Sequence, residues 1–230
     1  MQMRSCLGMI IVILLSYQTA AMTQRNPEVK IDRWPGVVPV YTCHQVPDER
    51  IIIDGQMTEN AWANHPRISF ADITHGTPPA HDGYAIVTWD QTDLYIGFHL
   101  TQPNRIAEIT MTEQGYDSES RIMLTDQFCE IFLDPDGDGV NYLEWHFNSA
   151  GAKADLLLSR PSSWTAALDL GVPFAGYGNT ADWDWSLPGV RHAVHVDEMA
   201  GAWQVEVAIP WASLASLHKR RSLQMSQVSV

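Results

Sequence analysis

From Tyr84 to Ile209 the chain is built of short segments in which apolar and polar side chains alternate, and this period of two restricts the fold more than any other feature. In Tyr142 to Asn148, Leu143, Trp145 and Phe147 make one face and Tyr142, Glu144, His146 and Asn148 the other. Trp203, Val205, Val207 and Ile209 oppose Gln204 and Glu206 in the same way, and Leu94, Ile96, Phe98 and Leu100 oppose Tyr95, Gly97 and His99. Strands of this kind belong to antiparallel sheets that bury one face and wet the other. Further strands are expected at Arg50 to Ile53, Tyr84 to Trp89, Ile106 to Thr110, Phe128 to Leu133, Ala154 to Leu158 and Val190 to Val196, with turn residues between them at the spacing of a sandwich. One short helix is expected, capped by Thr58, with Glu59 at its positive end and Trp62 folded under a sheet. Without βαβ alternation a parallel nucleotide-binding sheet is excluded. The expected fold is therefore an all-β antiparallel β-sandwich with one short helix.

The chain has 230 residues. Arg4 followed by the apolar run Leu7 to Leu15, too short to span a bilayer, and then Thr19-Ala20-Ala21 reads as an export signal cleaved after Ala21, with Ala20 as the alternative. Residues 1–21 are thus expected to be a signal peptide, and the protein to be secreted or periplasmic. Cys6 lacks the small-residue context of a lipoprotein cysteine, so no lipid anchor is expected, and no second apolar run reaches membrane length. Residues 22–40, punctuated by Pro27, Pro35 and Pro39, suit a linker or edge segment. One domain is expected over 41–214, followed by a basic tail over 215–230. A formal charge of −13 makes nucleic acid a poor partner. In an oxidising compartment Cys43 and Cys129 can bridge; equally, Cys129, alternating with Ile131 and Leu133, can be a small buried residue.

The turn Asp134-Pro135-Asp136-Gly137-Asp138-Gly139 places three carboxylates at alternate positions, with a proline and glycines shaping the loop. Oxygen donors gathered on a tight loop are what Ca²⁺ requires, although the bidentate glutamate of a helical calcium loop is missing. The alternative is a solvated hairpin turn. Repulsion among the three charges favours calcium bound by Asp134, Asp136 and Asp138. Glu130 lies between Phe128 and Phe132 on one strand face, with Asp126 at the strand entrance. The row Tyr142, Glu144, His146, Asn148 repeats at about 6.6 Å, close to the width of a sugar ring, and can be read as a ligand-binding stripe or an ordinary wet face. His44, His99, His146, His192 and His195 show no close metal spacing, and His192 and His195 point to opposite strand faces, so zinc is not expected. There is no serine elbow, phosphate loop or paired-cysteine motif. Nine tryptophans in an acidic chain are compatible with carbohydrate stacking as well as with core packing.

Several segments, in order, resemble family 9 carbohydrate-binding modules and their bacterial relatives. They are Tyr41-Thr42-Cys43-His44, Ile53-Asp54-Gly55 with Glu59 and Trp62, and Val87-Thr88-Trp89-Asp90 leading to Leu94-Tyr95-Ile96. Glu130 to Asp138, Tyr142 to Asn148 with Gly151, Trp185 to Val190, and Trp203 with Glu206 and Ile209-Pro210-Trp211 continue the run. The resemblance covers about residues 41 to 214. It implies a jelly-roll or immunoglobulin-like sandwich of DOMON-like type, structural calcium, and a non-catalytic role in capturing glycans beside a polysaccharide-degrading enzyme in carbohydrate catabolism.

Members of that family clamp terminal sugars between two tryptophans. Here the position six before Glu130 is Leu124, and the strands that carry the second platform would follow Ile209-Pro210-Trp211, where this sequence continues into His218-Lys219-Arg220-Arg221. The chain is therefore expected to be C-terminally truncated or altered. Candidate sugar contacts are Asp126, Glu130, Tyr142, Glu144 and His146, with Trp164, Trp183 and Trp185 as a replacement platform; Trp185 can also plug the sandwich. Two other functions are kept open: a glycoside hydrolase component using Glu130 and Glu144, and a haem-binding relative of the same sandwich.

Overall fold

The alternating segments pair as antiparallel strands because each has a continuous apolar face that is buried only when a second sheet lies against it. The computed structural model describes residues 10–16 (backbone only), 41–46, 50–71, 77–79, 81–101, 128–135, 141–158, 181–182 and 185–217. Its strands are β1 (Ile10–Ser16), β2 (His44–Gln45), β3 (Ile68–Ser69), β4 (Gly83–Trp89), β5 (Asp93–Thr101), β6 (Phe128–Asp134), β7 (Tyr142–Asn148), β8 (Lys153–Leu158), β9 (Ala181–Asp182), β10 (Arg191–Asp197) and β11 (Ala202–Pro210). One sheet runs β1-β6-β7-β8-β9; the other runs β10-β11-β5-β4-β2, with β3 also paired to β4. Apart from the parallel β2–β4 pair, the neighbours are antiparallel. This is the expected all-β sandwich.

The main core lies between the sheets. Cys129, Ile131 and Leu133 of β6 and Leu143, Trp145 and Phe147 of β7 face Val87, Ile96, Phe98, Val205 and Val207 from the other sheet. These are the apolar faces assigned from alternation. Cys129 is buried, is a free thiol and donates to the Phe147 carbonyl at 3.7 Å, while Cys43 is half-buried. The buried-residue reading of Cys129 therefore holds in this structure and the bridge does not form.

The opposite faces depart from expectation. The outer side of the β11-β5-β4 part of this sheet is not wet: Ile51, Trp62, Ile86, Tyr95 and Ala208 form a second buried cluster there, bordered by Ile53, Met57 and Tyr84. Trp62 is carried by α1 (Asn60–Ala63), the expected short helix. Its N-cap is Glu59, not Thr58, and Glu59 Oε1 accepts the N–H of Ile52 at 2.9 Å instead of capping the helix. Residues 50–53 form no strand; Ile51 is buried beneath this cover while Ile52 is exposed. The expected strand Ile106 to Thr110 lies outside the described residues.

The cover is fastened by Glu206, which alternation places on a wet face but which is fully buried. Its Oε2 accepts the N–H groups of Asp54 at 2.9 Å and Gly55 at 2.7 Å, and its Oε1 accepts Met57 N–H at 3.1 Å and the Trp62 indole N–H at 2.8 Å. Gly97 lets Trp62 approach, since a Cβ there would lie 2.6 Å from Met57 Cε and 3.1 Å from Trp62 Cζ3. Gly55, at φ +88°, turns the chain against the β10 backbone, where a Cβ would meet Val194 C and His195 N at 2.7 Å.

The apolar segment read as an export signal supplies β1, whose residues pair with β6 from Ile10 opposite Asp134 to Ser16 opposite Phe128. Its β-branched run suits an edge strand as well as a signal sequence. At the other end residues 211–217 are helical, so the helix runs three residues into the segment assigned to the tail. Among the described residues no helix is long and apolar enough to cross a membrane.

Candidate functional site

Antiparallel pairing of β6 with β7 sets Glu130 directly opposite His146, and the period of two puts Glu144 on the same face, one step along β7. Three of the residues singled out in the sequence thus come together on the outer face of the β6–β7 sheet. His146 Nε2 lies 3.3 Å from Glu130 Oε1 and in hydrogen-bond contact with Glu144 Oε1. The Phe128 ring stacks on the imidazole, with centroids 4.9 Å apart and planes 14° apart.

The stripe does not stand in water. Relative exposure is 8% for Glu130, 1% for Glu144 and 2% for His146, and Asn148 is fully buried. The burial extends to the next strand: Leu156 is paired with Glu144 and Leu158 with Tyr142, and both leucines are completely buried. The outer face of this sheet is a second interior. Asn148 spends its carboxamide oxygen on the β7–β8 turn, accepting Ala152 N–H at 2.9 Å and Ala150 N–H at 3.1 Å. Tyr142, half-buried, has its ring 6.2 Å from that of Phe132.

Burial governs the electrostatics of the cluster. It pushes the Glu130 carboxyl up to about 7, with His146 pulling it down and Glu144 pushing it further up. Glu144 Oε2 and His146 Nδ1 are buried with no hydrogen-bond partner among the described residues. A buried carboxylate oxygen without a donor is costly, so the cluster as it stands leaves part of its polar capacity unused.

Of the remaining candidates, Trp185 packs half-buried against the main core, the plugging role of its two readings. Neighbouring Ser186 and Leu187 anchor the segment: Ser186 Oγ donates to Asp155 Oδ2 at 2.7 Å and Leu187 N–H to the same atom at 3.2 Å. Asp134 ends β6 and is buried, at 7% exposure. Asp126, Asp136, Asp138, Trp164 and Trp183 lie outside the described residues, as does Leu124. His192, set aside for zinc, crosses between the sheets to the Gly151 carbonyl at 3.1 Å. Sequence reasoning missed Glu206 as the fastening group of the second cluster; the signal available was the single charged residue of β11, which faces a glycine, Gly97, on its neighbour.

Fold and cluster together define an antiparallel two-sheet β-sandwich protein with a buried Glu/Glu/His site on one outer face. No family model matches the chain, and no curated protein matches it. Among solved structures the chain is similar to a family 9 carbohydrate-binding module from Caldicellulosiruptor kristjanssonii in complex with cellotriose, at 15% identity over 74% of this chain and 67% of that one, with a TM-score of 0.44. It is also similar to such a module from the same organism in complex with glucose, at 16% identity over 72% of this chain and 67% of that one, with a TM-score of 0.43.

Proposed function

We propose that the chain is an exported, non-catalytic carbohydrate-binding module that captures polysaccharide or glycan ends in support of carbohydrate catabolism, beside a polysaccharide-degrading enzyme. The observation that supports this most is how the segments resembling family 9 modules use one another. Asp54, Gly55 and Trp62 donate to Glu206, and Trp211 donates its indole N–H to the Asp90 carbonyl at 2.9 Å and sets its ring edge-on to Trp89. Tyr41 donates its hydroxyl to the Val87 carbonyl at 3.1 Å, and Glu130 meets His146. Segments up to about 150 residues apart are therefore parts of one packed unit, which is what a shared domain, as opposed to chance similarity, requires.

On this reading the sugar is held at the outer face of the β6–β7 sheet, at its half-buried aromatic side. Phe132 and Tyr142 offer ring faces to the apolar side of a pyranose, and Glu130, the most open of the three clustered groups, accepts from a hydroxyl. Asp126, Trp164 and Trp183 complete the proposed contacts, and Asp134, Asp136 and Asp138 hold a structural Ca²⁺ at the end of β6. A glycan array read with calcium and with chelator tests the proposal. Binding to a defined set of glycans, reduced by chelation and by Tyr142→Ala, is expected; no binding in either condition would sink it.

Hydrolysis of a glycosidic bond by Glu130 and Glu144 is the second reading, and one observation favours it: a carboxyl held at about 7 is in the range of a general acid. Against it, His146 Nε2 lies against an oxygen of each carboxylate, and Glu144 is closed to solvent. Turnover of a chromogenic glycoside that disappears in Glu130→Gln would establish this reading over the first.

A further inference from the structure

We propose that Glu130, Glu144 and His146 form a binding site for one divalent transition-metal ion, coordinated by one oxygen from each carboxylate and one imidazole nitrogen. The proposal does not depend on sugar binding, and it concerns a different place from the aspartate turn.

One donor atom from each of the three residues falls within 4.8 Å of the other two. Bonds of about 2.0–2.2 Å from nitrogen and carboxylate oxygen to tetrahedral zinc put ligand atoms roughly 3.3–3.6 Å apart, so a side-chain adjustment of about an ångström closes the set around a single ion. The adjustment is available because the residues sit on paired strands, with Glu130 and His146 opposite and Glu144 on the same face. The backbone therefore already holds the three side chains in one place.

Burial makes a cation the natural complement. When both carboxyls of this site are ionised, one imidazole cannot balance them where exposure is low, and buried charges of this kind are paired or coordinate metals. Hydrogen bonding does not satisfy the set. Both carboxylates compete for His146 Nε2, while Glu144 Oε2, on a side chain that is 1% exposed, has no donor among the described residues. An ion seated among the three would take the place of the Nε2 proton and give both glutamates a shared counter-charge.

The donor types choose the class of ion. Ca²⁺ and Mg²⁺ are held by oxygen, with six or more ligands for the former and a hydrated octahedron for the latter, whereas an imidazole with carboxylates suits zinc, iron or manganese. Three protein ligands leave a further coordination position open. Such a site escapes the usual sequence patterns because its ligands come from two strands brought together by pairing, with one histidine in place of two.

The test uses the full chain stripped of metal, with Co²⁺ as a spectroscopic probe and Zn²⁺ as competitor. One cobalt ion per chain is expected, with visible bands of a nitrogen and oxygen site that Zn²⁺ abolishes and millimolar Ca²⁺ leaves unchanged, and with a rise in the unfolding temperature. His146→Gln and Glu144→Gln should lose the bands while keeping the β-rich circular dichroism of the parent, and His192→Ala should retain them. If those variants fail to fold, Glu130→Gln, at the most open of the three positions, should still weaken binding by tenfold or more. Absence of saturable cobalt uptake, displacement by Ca²⁺, or unchanged affinity in Glu130→Gln would each overturn the assignment.

Discussion

Replacing Glu206 by glutamine removes one of two carboxylate oxygens that between them accept four N–H groups, from Asp54, Gly55, Met57 and the Trp62 indole. Each oxygen serves two of these donors. The glutamine oxygen can keep one pair, but its amide nitrogen then points hydrogens at the other two N–H groups in a fully buried site. Leaving a buried donor unsatisfied costs about 1–3 kcal/mol, so two of them predict a loss of about 2–6 kcal/mol. That is a large share of the roughly 5–15 kcal/mol by which a domain is stable. Urea unfolding followed by tryptophan fluorescence measures it: at a slope of about 1–3 kcal/mol per molar, the midpoint falls by about 0.7 M or more while the slope stays constant. Trp62→Phe supplies the control. It removes one donor from the Oε1 pair, so glutamine in that background can turn its amide toward the emptier side, and the double variant should lose about 1 kcal/mol less than the sum of the singles. A Glu206→Gln protein within about 0.5 kcal/mol of the parent would refute the claim that this carboxylate fastens the second cluster.

Gly97→Ala is expected to destabilise by about 1–3 kcal/mol in thermal unfolding, because Met57 can swing aside but the Trp62 ring, 3.1 Å from the new Cβ and tied through its indole N–H to Glu206, cannot. Burial raises the Asp90 carboxyl, but N–H bonds from Asp93 and Thr92 and the hydroxyls of Thr92 and Tyr95 outweigh this and hold it below its ordinary value. The unfolded chain therefore binds the proton more tightly, and Asp90 stabilises the fold above the ordinary aspartate pKa and loses that contribution as pH falls toward the depressed one. Unfolding midpoints taken from pH 7 down to pH 3 should fall less steeply in Asp90→Asn than in the parent; parallel curves would rule this out. Burial pushes the Cys129 thiol far above its usual value, so peptide mapping after alkylation should find Cys129 unmodified in the folded protein and modified in urea.

The inward faces were legible because alternation is a local property. A strand that carries Leu143, Trp145 and Phe147 on one side must bury that side whatever else the chain does. The same rule misassigned the outward faces. Gln204 and Glu206 opposite Trp203 and Val205 read as wet because a polar face is normally a solvated one, but residues 51–63 fold over that sheet and turn Glu206 into the acceptor for their N–H groups. Tyr142, Glu144, His146 and Asn148 likewise read as an open stripe, and three of the four are buried. Alternation states which side chains share a face; it does not state what lies on that face.

By itself the sequence determined the class of fold, the limits of most strands, the burial of Trp62 beneath a sheet, and the one-face membership of Glu144 and His146. All of these follow from spacing along a single strand or helix. Only the tertiary structure decided that Glu130 stands opposite His146, that Glu206 faces Trp62 and Gly97, and that much of each sheet's outer side is buried. Register between strands and the path of a covering segment depend on contacts between distant parts of the chain, and a period of two is the same whether its polar face meets water or another layer of protein.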